Sequence, residues 1–343
     1  MTSETRQPDT LTEHSVESIA PPALDSTAGD IEEFNALVSG WNLEFRQIDR
    51  GKLTGRVAQR SGPSSNMTRV CLDRAVAQAG GPPPGMRTFG FREDRHQTME
   101  WCRQAVGPDA LFCFHPSEEF ECLSPARFAA FTFSFEESRL AEIAARIGHP
   151  ELFESIRGER AIGTAGSSGL ADLRRLLARL FGPTGPTEAN ANSAPSIDEI
   201  ARLESEIAEA LVLLLSAETS LDSKPLPLRD RSKALRTAIR YIFDHASDAV
   251  TVPEVCEAVG VSWRTLDRAF KESLGTSPKR CILGVRLQGV RRDLLETDPQ
   301  VGIADIANRW GYWHMGDFAM NYRRQFGELP RTTRARNVRI PRE

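Results

Sequence analysis

Between Thr251 and Pro330 the apolar positions repeat one pattern about fifty residues apart. The first copy places Val252, Val255, Gly260, Leu266, Phe270, Leu274, Gly275 and Pro278; the second places Ile303, Ile306, Gly311, Phe318, Tyr322, Phe326, Gly327 and Pro330. The offset is 51 residues up to the first glycine and 52 from Leu266 onward, so the second copy carries one extra residue in its turn. Each copy predicts a short apolar helix, a turn holding glycine and a second amphipathic helix, the layout of a helix-turn-helix.

Local chemistry supports the same elements. Thr251-Val252-Pro253-Glu254 has the form of a capping box, Gly260 supplies the turn, and Ser262 can cap the helix that follows. In that helix Leu266, Ala269 and Phe270 point inward, so Arg264, Asp267, Arg268 and Lys271 face out. Ser277-Pro278 opens a further helix that runs to about Glu296. At about 1.5 Å per residue it spans about 28 Å, close to the roughly 34–36 Å between successive major-groove faces of B-DNA. It is expected to act as a rigid spacer, with Arg286, Arg291 and Arg292 along it.

Transposed by 52 residues, Arg264 falls on Gly316, Asp267 on Ala319, Arg268 on Met320 and Lys271 on Arg323. The outward charges of the first copy are lost from the second, while its last basic slot survives beside Arg324. Expected base contacts are therefore Arg264, Asp267 and Arg268, with His314, Asp317 and Met320 as the second copy's remaining readers. Bidentate arginine contacts to guanine are each worth about 1–3 kcal/mol of discrimination. Lys271, Arg323, Arg324 and Arg291 are expected at phosphates, and Arg331, Arg334, Arg336 and Arg339 add a basic end.

The first half of the chain has a different period. Short alternating or apolar runs at Trp41–Ile48, Leu53–Val57, Met67–Leu72, Met86–Phe91, Thr98–Trp101, Ala110–Phe114, Glu119–Cys122 and Phe128–Phe135 predict strands of a sandwich or barrel. Helical spacing returns at Ser138–Ile147, Pro150–Arg157, Leu170–Phe181 and Ile197–Leu215. The expected division is a disordered stretch over 1–30, a β-rich sensing domain with trailing helices over 31–181, and a linker over 182–228. Within that linker, helix 197–215 could pack inside the chain or pair in a dimer. A DNA-binding domain over 229–335 and a basic tail over 336–343 complete the chain. The fold class is α+β multidomain, a β-barrel followed by an all-α double helix-turn-helix.

Charge sharpens the division. Residues 229–343 hold 21 Lys and Arg against 14 Asp and Glu, whereas 1–228 hold 22 against 33. A basic third on a chain of net charge -4 points to a polyanion partner for that third alone. The first residues lack the charged start and apolar run of a secretory signal. No stretch approaches 18 apolar residues, so no membrane span is expected. Six cysteines without a CxxC pair fit a reducing cytoplasm.

The run IADIANRWGYWHMGDFAMNYRRQFGELP, preceded by VPEVCEAVGVSWRTLDRAFKESLGTSPKR, resembles the double helix-turn-helix of AraC-type transcription regulators over about residues 229–335. The resemblance implies a helical DNA-binding domain, often fused to an effector-binding domain of cupin-like β structure, and activation of transcription with RNA polymerase as partner. Leu329 before Pro330 departs from the Ser or Thr of many members.

For the N-terminal region the favoured expectation is a small-molecule pocket among Trp41, Phe45, Phe89, Phe91, Trp101, Phe112 and Phe114. Trp41, Arg46, Arg69 and Arg87 are candidate effector contacts. A redox sensor using Cys102, Cys113 and Cys122 is an alternative. A cupin-type metalloenzyme is disfavoured, because His96, His115 and His149 lie far apart and such sites need clustered histidines. RNA binding lacks an aromatic platform beside basic residues. The expectation is thus a cytoplasmic, homodimeric, ligand-responsive regulator of double-stranded DNA, with no enzymatic activity and no cofactor.

Overall fold

The computed structural model describes residues 23–38, 41–93, 99–102, 104–107, 109–116, 118–159, 161–164, 168–182, 195–218, 230–248, 250–298 and 300–337. In chain order the N-terminal region runs β1 (Ala23–Ala28), α1 (Ile31–Leu37), β2 (Asn42–Gln47), β3 (Gly55–Ser61), β4 (Ser65–Leu72), β5 (Val76–Gly81) and β6 (Met86–Arg92). Strands β7 (Met99–Trp101), β8 (Gln104–Val106), β9 (Ala110–Phe114), β10 (Phe120–Ser124) and β11 (Phe128–Glu136) follow. Then come α2 (Glu137–Arg146), α3 (Leu152–Ser155), β12 (Ala161–Gly163), α4 (Ser168–Phe181) and α5 (Ile197–Glu218).

These strands form two antiparallel sheets, not a closed barrel. The larger has the order β1-β3-β4-β11-β6-β9-β12 and the smaller β2-β5-β10-β7-β8, with no ladder joining them among the described residues. A side chain does what a neighbouring strand would do at one open edge. The Asn35 amide donates to the Phe45 carbonyl at 3.0 Å and accepts from the Phe45 N–H at 2.9 Å, satisfying β2 where no strand pairs with it.

Strand alternation gives the larger sheet two apolar faces. Thr68, Val70, Phe112, Phe114, Phe128 and Ala130 face Phe45, Trp101 and Phe120 of the smaller sheet. Met67, Phe89, Phe91, Phe131 and Phe133 face the opposite way, into a core shared with Leu173, Leu177, Leu203, Ile207 and Leu211 of α4 and α5. The apolar stripe of α5 is therefore occupied within the chain. Buried Glu204 fixes it further, accepting from the Ser64 hydroxyl at 2.6 Å.

The expectation of disorder through residue 30 fails for Ala23–Ala28, which pairs with β3 along its length. A bidentate Arg56–Asp25 ion pair at 2.7–2.8 Å holds the two strands together. Residues 1–22 and most of both linker stretches (183–194 and 219–229) lie outside the described residues.

The C-terminal region is helical: α6 (Asp230–Asp244), α7 (Val252–Val259), α8 (Trp263–Leu274), α9 (Pro278–Glu296), α10 (Ile303–Arg309), α11 (Met315–Phe326) and α12 (Pro330–Asn337). Helices α7–α8 and α10–α11 are the two predicted units and α9 is the spacer between them. Val255, Leu266, Phe270, Leu274 and Ile282 fill the first unit's core. Leu287, Leu294, Ile306, Trp310, Phe318 and Tyr322 fill the second. The N-terminal domain joins the first of these cores through Ile48 and Ala75.

Candidate nucleic-acid interface

Helix α8 is aimed by local rules. Glu254 accepts from the Thr251 N–H at 2.7 Å and its hydroxyl at 2.9 Å, which opens α7 and holds the Glu254 carboxyl below its ordinary pKa. Gly260 ends α7 at φ 72°, a left-handed conformation that favours glycine. Ser262 then caps α8 by accepting from the Thr265 N–H at 3.3 Å. With Leu266, Ala269 and Phe270 buried, Trp263, Arg264, Arg268 and Lys271 stand exposed on the other side.

Arg264, Arg268 and Lys271 face out as expected, whereas Asp267 is half-buried beneath Lys271, and some of these charges are paired along the helix. Lys271 meets Asp267 at 2.7 Å and Arg268 meets Glu272 at 2.6 Å, both four residues apart. Such pairs are worth roughly 0.3–0.5 kcal/mol, so exchanging them for DNA contacts costs little. Arg264 has no such partner among the described residues. Trp263, at the first helical position and 61% exposed, is a feature that the apolar periodicity did not single out. Its only sequence signal is a large aromatic residue off the buried stripe.

Helix α11 differs from α8. The extra residue lengthens its turn, where Gly311 has φ 79° and Tyr312, Trp313 and His314 follow before the helix starts. His314 is exposed at the N-cap without a side-chain bond to the helix. Met320 and Arg323 are exposed, as the transposition predicts, and so are Asp317 and Arg324. Trp313, 73% exposed, is a second outward tryptophan off the buried stripe.

One expected phosphate contact is corrected, and two arginines of the basic end are engaged within the chain. Arg291 is buried and cannot meet a phosphate. It bonds Asp30, meets Glu328 at 2.8 Å and meets Glu32 at 3.1 Å, while its guanidinium lies 4.8 Å from the Phe326 ring centroid. Burial opposes its charge, but the surrounding carboxylates more than offset this and hold its pKa above the ordinary arginine value. Arg334 is also buried, and its guanidinium donates to the carbonyls of Leu294, Thr297, Asp298 and Val301, tying α12 to the end of α9. Arg336 pairs with Glu328 at 3.0 Å and with Asp30 at 3.5 Å. Arg339 lies outside the described residues.

The candidate effector residues do not converge. Only Trp41 lines the space between the sheets, where its ring meets Phe114 at 5.2 Å and Phe120 at 6.4 Å. Arg69 and Arg87 share the helix-covered face of the larger sheet with Phe89 and Phe91. Arg69 pairs there with Glu93 at 2.9 Å, and Arg87 donates to the Ile156 carbonyl at 3.4 Å. Arg46 is on the outer face of the smaller sheet, paired with Glu44 at 2.8 Å and 5.0 Å from the Phe243 ring centroid. Strand parity separates residues that composition had grouped.

The rings fill the space between the sheets, leaving a void of about 40 Å³. A larger cleft of about 250 Å³ lies between the domains, walled by Arg46, Ala77, Ala79, Glu121 and Leu123 on one side and Arg236, Ile239, Arg240 and Phe243 on the other. Cys113 and Cys122 are buried and Cys102 is half-buried. His96 lies outside the described residues, and His115 stands 3.8 Å from Glu118.

Two helix-turn-helix units on a common spacer, one with an exposed cationic recognition helix, define a DNA-binding class of protein. Residues 255–336 match a family model described as a helix-turn-helix domain. The chain is similar to the "Probable thc operon regulatory protein" of Rhodococcus erythropolis, 44% identical over 97 residues, 28% of this chain and 29% of that protein. It is also similar to the "XylDLEGF operon transcriptional activator" of Pseudomonas putida, 32% identical over 130 residues, 37% of this chain and 39% of that protein. A solved transcriptional regulator of Chromobacterium violaceum, titled with AraC-type DNA-binding domain-containing proteins, is 29% identical. It covers 32% of this chain and 96% of its own, with a TM-score of 0.30. The C-terminal region is an AraC-type helix-turn-helix domain. The chain spans well under half the length of the two curated relatives.

Proposed function

We propose that the protein is a ligand-responsive, sequence-specific regulator of transcription, acting by binding and not by catalysis. The observation that carries this is α8, with one face buried in the first unit and Arg264, Arg268 and Lys271 exposed on the other. Helix α9 fixes the distance from it to α11, as two contacts along one duplex require. In this proposal α8 reads bases, and α11 mainly positions the chain through Arg323 and Arg324. Activation, with RNA polymerase as partner, is favoured by the similarity to the operon activator.

The two-sheet domain would be the sensor, the counterpart of a cupin-like effector domain. Its effector fits the interdomain cleft better than the filled space between the sheets, because the cleft has room and walls from both domains. An effector there would alter how α6 docks on the smaller sheet. A homodimer would use the outer side of α5, where Leu213 is 58% exposed, since the inner stripe is occupied. The proposed location is cytoplasmic, where the target DNA lies; among the described residues no helix is long and apolar enough to cross a membrane.

Selection of random duplexes by the full chain tests the DNA-binding function. The expected result is one enriched motif with two elements about 10–10.5 bp apart. Retention of duplexes without any enriched sequence contradicts it.

A further inference from the structure

The turn between β2 and β3 belongs to the N-terminal domain but rests on the DNA-binding one. Gln288 of α9 donates to the Gln47 carbonyl, and Gln325 of α11 donates to the Asp49 carbonyl at 3.3 Å. The turn is also braced from within. The Gln47 amide donates to the carbonyls of Asp49 and Gly51, both at 2.8 Å. Arg74 donates to the carbonyls of Lys52 at 3.0 Å and Arg50 at 3.3 Å. The backbone of Arg50 is thereby fixed from both domains.

From this turn the Arg50 guanidinium reaches α11 and donates to Asn321 Oδ1 at 3.0 Å. Asn321 lies one turn after exposed Asp317, with exposed Met320 and Arg324 beside it on the recognition helix. Among the described residues, Arg50 has no carboxylate partner, and neither do exposed Arg280 at the start of α9 and Arg324 on α11. Burial lowers the pKa of Arg50, and the charges of Arg324 and Arg280 lower it further. Other arginines at the domain junction are neutralised: Arg291 by three carboxylates, Arg240 by Glu121 at 2.6 Å and Arg46 by Glu44 at 2.8 Å. The Arg50–Asn321 bond brings guanidinium groups of both domains to one turn of α11, which suits an anion held between Arg50 and Arg324, and a phosphate accepts such charge-assisted bonds.

We propose that Arg50 and Arg324 hold one DNA backbone phosphate between them, so that the N-terminal domain itself touches DNA next to the second recognition helix. This rests on the DNA-binding function proposed above. One consequence is regulatory: a shift of the N-terminal domain would withdraw a DNA contact without altering either helix-turn-helix unit.

The test uses the full chain and a labelled 30-bp duplex of random sequence, titrated at several salt concentrations. Arg50→Gln removes the charge but keeps a donor for Asn321. It is expected to flatten the slope of log K against log salt by about 0.9, about an eightfold loss at 0.1 M salt relative to extrapolated 1 M behaviour. Arg50→Lys is expected to keep most of the wild-type slope, and Asn321→Ala, which leaves the charge in place, to keep it too. An Arg50→Gln chain with the wild-type slope overturns the proposal. So does tighter binding by that variant, since Arg50 would then be a brake on α11. If the wild-type chain binds no duplex, the DNA-binding function falls first and this site with it.

Discussion

The two helix-turn-helix units share a skeleton and differ in their neighbours. In the first, α8 keeps its outward side chains exposed, and its ion pairs run along the helix itself. In the second, the N-terminal domain holds α11 and the helices around it through Arg50–Asn321, Asp49–Gln325 and the Arg291 cluster. A duplicated unit has thus been divided between two tasks. One copy presents exposed charges along α8, and the other has become a joint at which the N-terminal domain holds the helical domain.

The largest test of this contrast is the Arg291 cluster. Removing one partner of a buried ion pair costs about 3–5 kcal/mol, because the remaining charges stay buried and unpaired. Arg291→Met is expected to lose that much in denaturant unfolding of the full chain, leaving Asp30, Glu32 and Glu328 with only the half-exposed Arg336 as a cation. A loss under about 1 kcal/mol would show that the cluster is hydrated and the joint loose.

Asp49 gives a somewhat smaller effect with a defined pH window. Burial pushes its pKa up to about 6 against an ordinary value of 3.8, despite Arg74 at 4.0 Å, and its Oδ1 has no hydrogen-bond partner. The folded pKa lies above the unfolded one, so ionised Asp49 destabilises the fold at neutral pH and less so as the carboxyl gains its proton. At about 1.4 kcal/mol per pKa unit, Asp49→Asn is expected to stabilise the chain by about 2–3 kcal/mol above about pH 6. The gain should shrink between about pH 6 and about pH 4. Melting curves across this range check it, and a gain independent of pH would remove titration of Asp49 as the cause.

The contrast was half legible in the sequence. The elements of both units follow from rules acting within a few residues: Thr251 with Glu254, Ser262 as a cap, Ser277 before Pro278, and glycine at the left-handed turns. The outward positions of Arg264, Arg268 and Arg323 follow from the buried stripe in the same way. Arg291 was not legible because its partners Asp30 and Glu32 lie 261 and 259 residues away. Nothing in the local pattern separates it from exposed Arg292. Arg50 escaped notice for the same reason, being a turn residue until two domains meet around it.

The N-terminal domain shows the limit of composition more sharply. Strand β5 reads Val-Ala-Gln-Ala-Gly-Gly and is too poor in large apolar residues to stand out, yet it lies between β2 and β10 in the smaller sheet. The arginines at 46, 69 and 87 looked like one set. The pleat assigns them to outer faces of different sheets, and only the pairing of strands reveals which face is which.

The unequal division itself is tested most directly by measuring Arg264→Ala and Arg323→Ala side by side on the selected motif, on single-base variants of it and on random DNA. Arg264→Ala is expected to lose about 1–3 kcal/mol of discrimination at defined base positions. Arg323→Ala should weaken every duplex alike and flatten the salt slope by about one phosphate contact. Equal weakening on specific and random DNA for Arg264→Ala, or a base-selective loss for Arg323→Ala, would contradict the assignment of reading to the first unit and positioning to the second.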